Sequence, residues 1–147
     1  MKPLELVLRF LEAINAQDVP AIVSLMTDDH RFVDSLGVGV QGAETLREGW
    51  QAYFRVVPDY QIELRESYGD GSVVVLLGVA RGTYTTDGTL RAADAWETPA
   101  AWRAVVRGDR IAEWQVYADN EPLRRRVAAH SAQRVNPLPD RPSIGEL

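Results

Sequence analysis

The stretch from Phe10 to Gly37, FLEAINAQDVPAIVSLMTDDHRFVDSLG, carries two helix signals followed by a strand signal, and that succession decides the fold. Just upstream and into it, Leu4, Leu8 and Leu11, with Val7, Phe10 and Ile14, recur at three- and four-residue spacing, which predicts an amphipathic helix over residues 3–16. Pro3 fits its first turn, where no backbone donor is lost. Asp18 is a good N-cap for a second helix, with Pro20 near its start, Ile22, Val23, Leu25 and Met26 inside it, and Asp28 and Asp29 at its end. Residues 30–36 then alternate. Phe32 and Asp34 fall on one face, Arg31, Val33 and Ser35 on the other, as in a short strand.

Outward from this core, Gly37, Gly39 and Gly42 make a flexible turn. A third helix is predicted from Ala43 to Val56, with Leu46, Trp50, Tyr53 and Phe54 on one stripe, and Pro58 stops it. The rest reads as strands over about 60–67, 72–84, 100–107 and 110–118, separated by Gly69-Asp70-Gly71, Asp87-Gly88 and Arg107-Gly108-Asp109. The segment 92–99 has no clean period, and Pro99 is expected to open a strand or mark a bulge. A short helix follows Asp119. The organisation is one domain over 1–134 and a proline-rich tail over 135–147, disordered or laid along a neighbour. Helices first and a long antiparallel meander after them imply an α+β domain, three N-terminal helices packed on one face of a strongly curved sheet. Such a sheet leaves an apolar hollow where ligands bind.

Composition narrows the function. A net charge of −5 over 147 residues gives no basic footprint for nucleic acid. The chain has no cysteine, which excludes disulfides and thiolate chemistry. Glu5, Arg9 and Glu12 interrupt the first apolar stretch, and no run approaches the roughly 20 apolar residues of a spanning helix. A cytoplasmic protein with no membrane or nucleic-acid partner is the expectation. The phosphate-loop and dinucleotide fingerprints are absent, so no cofactor is expected.

Asp34 is the leading candidate for chemistry. Strand parity puts it with Phe32, where a carboxylate would be desolvated and suited to taking a proton from carbon beside a carbonyl. The same residue equally suits a cap on the Gly37–Gly42 turn. Asp119 is either a second acid at the pocket mouth or, with Asn120, the cap of the last helix. Trp50, Tyr53, Trp96, Trp102 and Trp114 line a pocket for a flat apolar ligand, or are core and interface packing. Phe10, Ile14, Phe32, Val116 and Ala118 complete the expected lining. His30 and His130 share no motif, are read as surface or supporting residues, and make no metal site. Arg124, Arg125 and Arg126 form a solvated face or meet the acidic surface of a partner subunit.

The segment 10–37, with QGAETLREGWQAY at 41–53 and RIAEWQVYADNEPLRR at 110–125, resembles the NTF2-like (SnoaL-like) superfamily, which includes ketosteroid isomerases, limonene epoxide hydrolases and polyketide cyclases. The resemblance spans all but the tail. It implies a cystatin-like cone around a pocket, a homodimer through the open sheet face, and acid–base chemistry on a mostly apolar carbonyl compound as an isomerase, cyclase or lyase. The isomerases' aspartate base matches Asp34, and their two oxyanion donors match Phe10 and Trp102, of which only Trp102 has an N–H to offer. At the epoxide hydrolase positions stand Leu77, Val79, Val116, Asp34 and Phe32, so that constellation is absent. The alternative is a non-catalytic ligand-binding or protein-interaction module with the same hollow.

Overall fold

The structure, a computed structural model, describes residues 1–132; the 135–147 tail and the last two residues of the expected 1–134 domain lie outside them. Helix α1 (Pro3–Asn15) buries Leu6, Val7, Phe10, Leu11 and Ile14 along one stripe. Its end is pinned by Asn15, whose amide donates to the Ile62 carbonyl at 3.0 Å and accepts from the Ile62 N–H at 2.8 Å. Helix α2 (Val19–Ser24) starts at Asp18, whose carboxylate accepts the Ala21 N–H at 3.1 Å. Strand β1 (Met26–Val33) follows, then β2 (Gly39–Gln41) and α3 (Ala43–Val56). Gly42 precedes α3 at φ 108°, a left-handed conformation that glycine adopts without strain. Strands β3 (Gln61–Asp70), β4 (Val73–Thr83), β5 (Ala95–Arg107) and β6 (Arg110–Ala118) form the meander, and α4 (Glu121–Ala132) closes the described chain.

The six strands make one open, curved sheet in the order β2-β1-β6-β5-β4-β3. Every pairing is antiparallel except β1 with β6. Helix α1 packs on β3 to β6 and α3 on β1 and β2, so the core lies between helices and sheet. An α+β cone of the expected class is thus the observed architecture.

Three local expectations change. Asp28 and Asp29 do not end α2; they lie within β1, exposed, where the β1–β6 register slips between Met26 and Arg31. Ser24 is the last residue of α2, and the strand has begun at Met26. Conversely, β1 stops at Val33, so Asp34 and Ser35 belong to the turn that leads into β2, a strand of three residues too short to show a period. Segment 92–99 is a 3₁₀ turn over Ala92–Asp94 and then β5 itself. Pro99 sits inside that strand opposite Val79. It is tolerated because β5 pairs with β6 only from Ala100 onward, so at Pro99 the strand has one partner.

Candidate functional site

The predicted lining residues converge. Phe10, Ile14, Phe32, Trp50, Tyr53, Trp102, Trp114 and Val116 are all buried in one apolar cluster, and Ala118 is half-buried against it. Alternation along β5 and β6 explains this: Trp102, Ala104, Trp114 and Val116 turn inward while Ala101, Arg103 and Tyr117 turn out. Phe10 packs at a tilt against Trp114 with ring centres 5.0 Å apart and lies 5.9 Å from the His30 ring. Tyr60 meets Tyr53 edge-on at 5.2 Å and Trp96 at 6.2 Å.

This interior is rich in donors. The indole N–H groups of Trp50, Trp96, Trp102 and Trp114 are buried with no hydrogen-bond acceptor among the described residues. A buried donor left unpaired costs about 1–3 kcal/mol. Burial pushes the Tyr60 phenol pKa well up, and the nearby Trp102 indole N–H pulls it partly back without reaching full hydrogen-bond geometry.

Asp34 is 7% exposed. One carboxylate oxygen, Oδ1, accepts the Leu36 and Val38 N–H groups, both at 2.9 Å. Its own N–H donates to the Val38 carbonyl, and its carbonyl accepts the Gly37 N–H, both at 3.0 Å. Thus Asp34 organises the 34–38 turn through four bonds, and the second carboxylate oxygen, Oδ2, takes none among the described residues. The turn is fastened to the start of α4 by Asn120, whose amide donates to Ser35 Oγ at 3.0 Å. Asp119 caps α4 by accepting the Glu121 N–H at 3.0 Å, and its carbonyl accepts the Thr98 hydroxyl at 2.7 Å.

Of the two roles expected for His30, surface or supporting, the structure shows the supporting one. It is 1% exposed, not on the surface, with Nδ1 donating to the Ile111 carbonyl at 2.6 Å. Burial lowers its pKa from 6.5 to about 4, against the opposing pull of that bond and of the Asp29 charge. Its parity with Phe32 and Asp34 was the available signal. His130 sits where α4 meets the 3₁₀ turn, 3.1 Å from the Asp94 carboxylate and edge-on to Tyr84. Arg125 pairs with Glu121, and Arg126 donates to the Ala95 carbonyl. No group of three or more metal-ligating side chains occurs among the described residues.

The outer face of the sheet differs in character. Leu77, Pro99, Ala101 and Tyr117, with Arg65 and Glu66 at the β3 bulge, line an open groove of about 670 Å³. Tyr117 is 54% exposed there. Around it run ion pairs from Arg81 to Glu63 and from Arg103 to Glu113.

The comparisons agree with this geometry. A candidate SnoaL-like polyketide cyclase from Shewanella denitrificans superposes with a TM-score of 0.74 at 14% identity, over 86% of this chain and 97% of that one. IdmH, a candidate polyketide cyclase from Streptomyces antibioticus, gives 0.71 at 21% identity, over 87% and 99%. An uncharacterised cystatin-fold protein from Novosphingobium aromaticivorans gives 0.66 at 29% identity, over 79% and 97%. These likenesses establish the fold. No curated protein matches the chain. The SnoaL-like domain family model matches residues 7–114, most of the chain, and the protein therefore belongs to the SnoaL-like domain family within the NTF2-like superfamily.

Proposed function

We propose that this protein is a cofactor-independent enzyme that performs acid–base chemistry on an apolar carbonyl compound, as an isomerase, cyclase or lyase, with Asp34 as the general base. The observation that carries the reading is the state of the Asp34 carboxylate: buried, fixed through Oδ1 by two turn N–H groups, with Oδ2 unengaged. A base held this way loses little freedom when substrate arrives. Oδ2 takes the proton from the carbon beside the carbonyl; the C–H electron pair becomes the carbon–carbon double bond of an enolate, and the carbonyl π pair moves onto the oxygen. The Trp102 indole N–H and the Tyr53 hydroxyl orient that oxygen. Returning the proton to another carbon completes an isomerisation; attack of the enolate carbon on a second carbonyl, whose π pair goes to its oxygen and takes the proton back from Asp34, completes a cyclisation.

A second reading is a ligand-binding or interaction module, in which Asp34 serves only as the cap of its turn. The two bonds to Leu36 and Val38 favour it, as does Phe10 at a position without a donor. Exchange of the hydrogens beside the carbonyl of 2-tetralone, followed by proton NMR in D₂O, separates the two. The enzyme reading requires acceleration over buffer that falls about a hundredfold or more in D34N; exchange at the buffer rate leaves the binding module. We place a second copy of the chain on the apolar groove of the outer sheet face, giving a homodimer.

A further inference from the structure

We infer that Asn120, at the root of α4, is a positioning residue for the reaction: through Ser35 it sets where the 34–38 turn sits, and so where the Asp34 carboxylate faces. The inference rests on the reading of Asp34 as the general base and deepens it by naming what holds that base in place.

The shape of the turn and its position have different origins. Four bonds made by Asp34 close the turn, and all four run between residues 34 and 38. They fix its shape. The ladder that ties β1 to the body of the sheet ends at Val33, opposite Gln115, although β6 runs on to Ala118. Ser35 therefore lies two residues past the last paired one, and the chain leads on from there to β2, a three-residue edge strand. Packing from outside adds little, because Leu36 and Val38 are 62% and 56% exposed. The Asn120 amide, 2% exposed and donating to Ser35 Oγ at 3.0 Å, bridges this overhang to the body of the domain.

Asn120 suits that task because it is itself held. The Thr98 hydroxyl of β5 donates to the preceding carbonyl, that of Asp119, at 2.7 Å. The Asn120 carbonyl accepts the Arg124 N–H at 2.9 Å, and Leu123 is buried in the core. Asp119 caps α4 by accepting the Glu121 N–H, which leaves the Asn120 amide for a partner outside its own helix. A buried amide costs stability unless it is bonded. This one is bonded to the neighbour of the base, 85 positions away. Misplacing a reacting group by about 1 Å costs about a hundredfold in rate. A turn that keeps its shape but loses its seat therefore keeps a carboxylate and loses its aim.

Two substitutions break the bond from opposite sides: Ser35→Ala removes the acceptor and Asn120→Ala the donor. Each is expected to lower kcat for hydrogen exchange of 2-tetralone about ten- to a hundredfold with KM little changed. Ser35→Thr, which keeps a hydroxyl, should recover most of that loss. In a D34N chain, Ser35→Ala should slow exchange no further, because its effect passes through the carboxylate. Amide ¹⁵N relaxation reads the seat directly: order parameters over residues 35–38 should fall from about 0.85 towards about 0.6 in Ser35→Ala, while those of β5 and β6 stay. Turn amides as rigid in Ser35→Ala as in the wild type, or a Ser35→Ala effect of full size in the D34N chain, would each overturn the inference. Should the wild-type chain exchange 2-tetralone only at the buffer rate, the enzyme reading falls, and relaxation alone decides whether Asn120 seats the turn. Should the wild type be active and Ser35→Ala equally fast, the positioning role falls and the enzyme reading stands.

Discussion

The imidazole of His30 donates from Nδ1 to the carbonyl oxygen of Ile111, 2.6 Å away on the adjoining strand. That bond fixes the neutral tautomer and ties β1 to β6 at the place where their register slips. A charged imidazole there would lose its solvation, which is why burial lowers the pKa to about 4.

Acid should therefore destabilise the fold through this one ring. The folded pKa lies below the unfolded 6.5, so between those values the unfolded chain binds more protons and stability falls as pH drops. The loss should total roughly 3 kcal/mol between pH 6.5 and pH 4. Urea unfolding at several pH values measures it, and H30Q, which keeps a donor for Ile111 but does not titrate, should flatten the profile over that window. A wild-type profile as flat as that of H30Q would refute the assignment.

At Asp34, two substitutions divide structure from chemistry. Asn keeps an oxygen for the Leu36 and Val38 N–H groups, so D34N should be nearly as stable as wild type. D34A leaves both donors without their acceptor and should lose roughly 1–3 kcal/mol in denaturant unfolding. If D34A were as stable as D34N, the turn would not depend on the carboxylate.

Gly78 is held to glycine by the neighbouring strand. A Cβ there would lie 1.9 Å from the Glu63 carbonyl oxygen at the β3 bulge, whereas one at Gly69 meets nothing nearer than 3.9 Å. Gly78→Ala should therefore cost at least about 1–3 kcal/mol, from forced backbone movement, and Gly69→Ala only about 0.5 kcal/mol. Thermal melts of the two variants side by side check the contrast.

The proposed dimer has a direct handle in Tyr117. Tyr117→Lys should convert the assembly to a monomer in analytical ultracentrifugation while leaving the circular dichroism spectrum intact, because the side chain points away from the core. A wild-type chain that sediments as a monomer at micromolar concentration would remove the dimer from the proposal.

Much of the fold was legible because its elements are strongly periodic. Helices α1 and α3 announce themselves through Phe10, Ile14, Trp50 and Tyr53, and the meander through its Gly-Asp turns. The failures have a common cause. Asp28 and Asp29 look like a helix end because polar pairs break a pattern, but here they are the solvent side of a bulged strand. Pro99 looks like a boundary because a proline removes a donor, and nothing local reveals that β6 has already ended beside it. At the site, burial of the aromatic residues followed from parity, whereas the His30 bond to Ile111 spans 81 positions and leaves no local trace. The Asn120 link to Ser35, 85 positions apart, is hidden for the same reason.

Where β5 runs on past Ala118, the five residues from Ala95 to Pro99 would offer bare backbone to any passing strand. Helix α4 packs against β5, with Arg126 bonded to the Ala95 carbonyl, and Pro99 has no N–H to give. The outermost strands are equally poor templates: β2 has three residues, and β3 is bulged and charged. Lateral growth of the sheet, the route to runaway polymers, is blocked at every margin. The proposed dimer, placed on the broad face of the sheet, would be a contact in which two copies satisfy one another and stop.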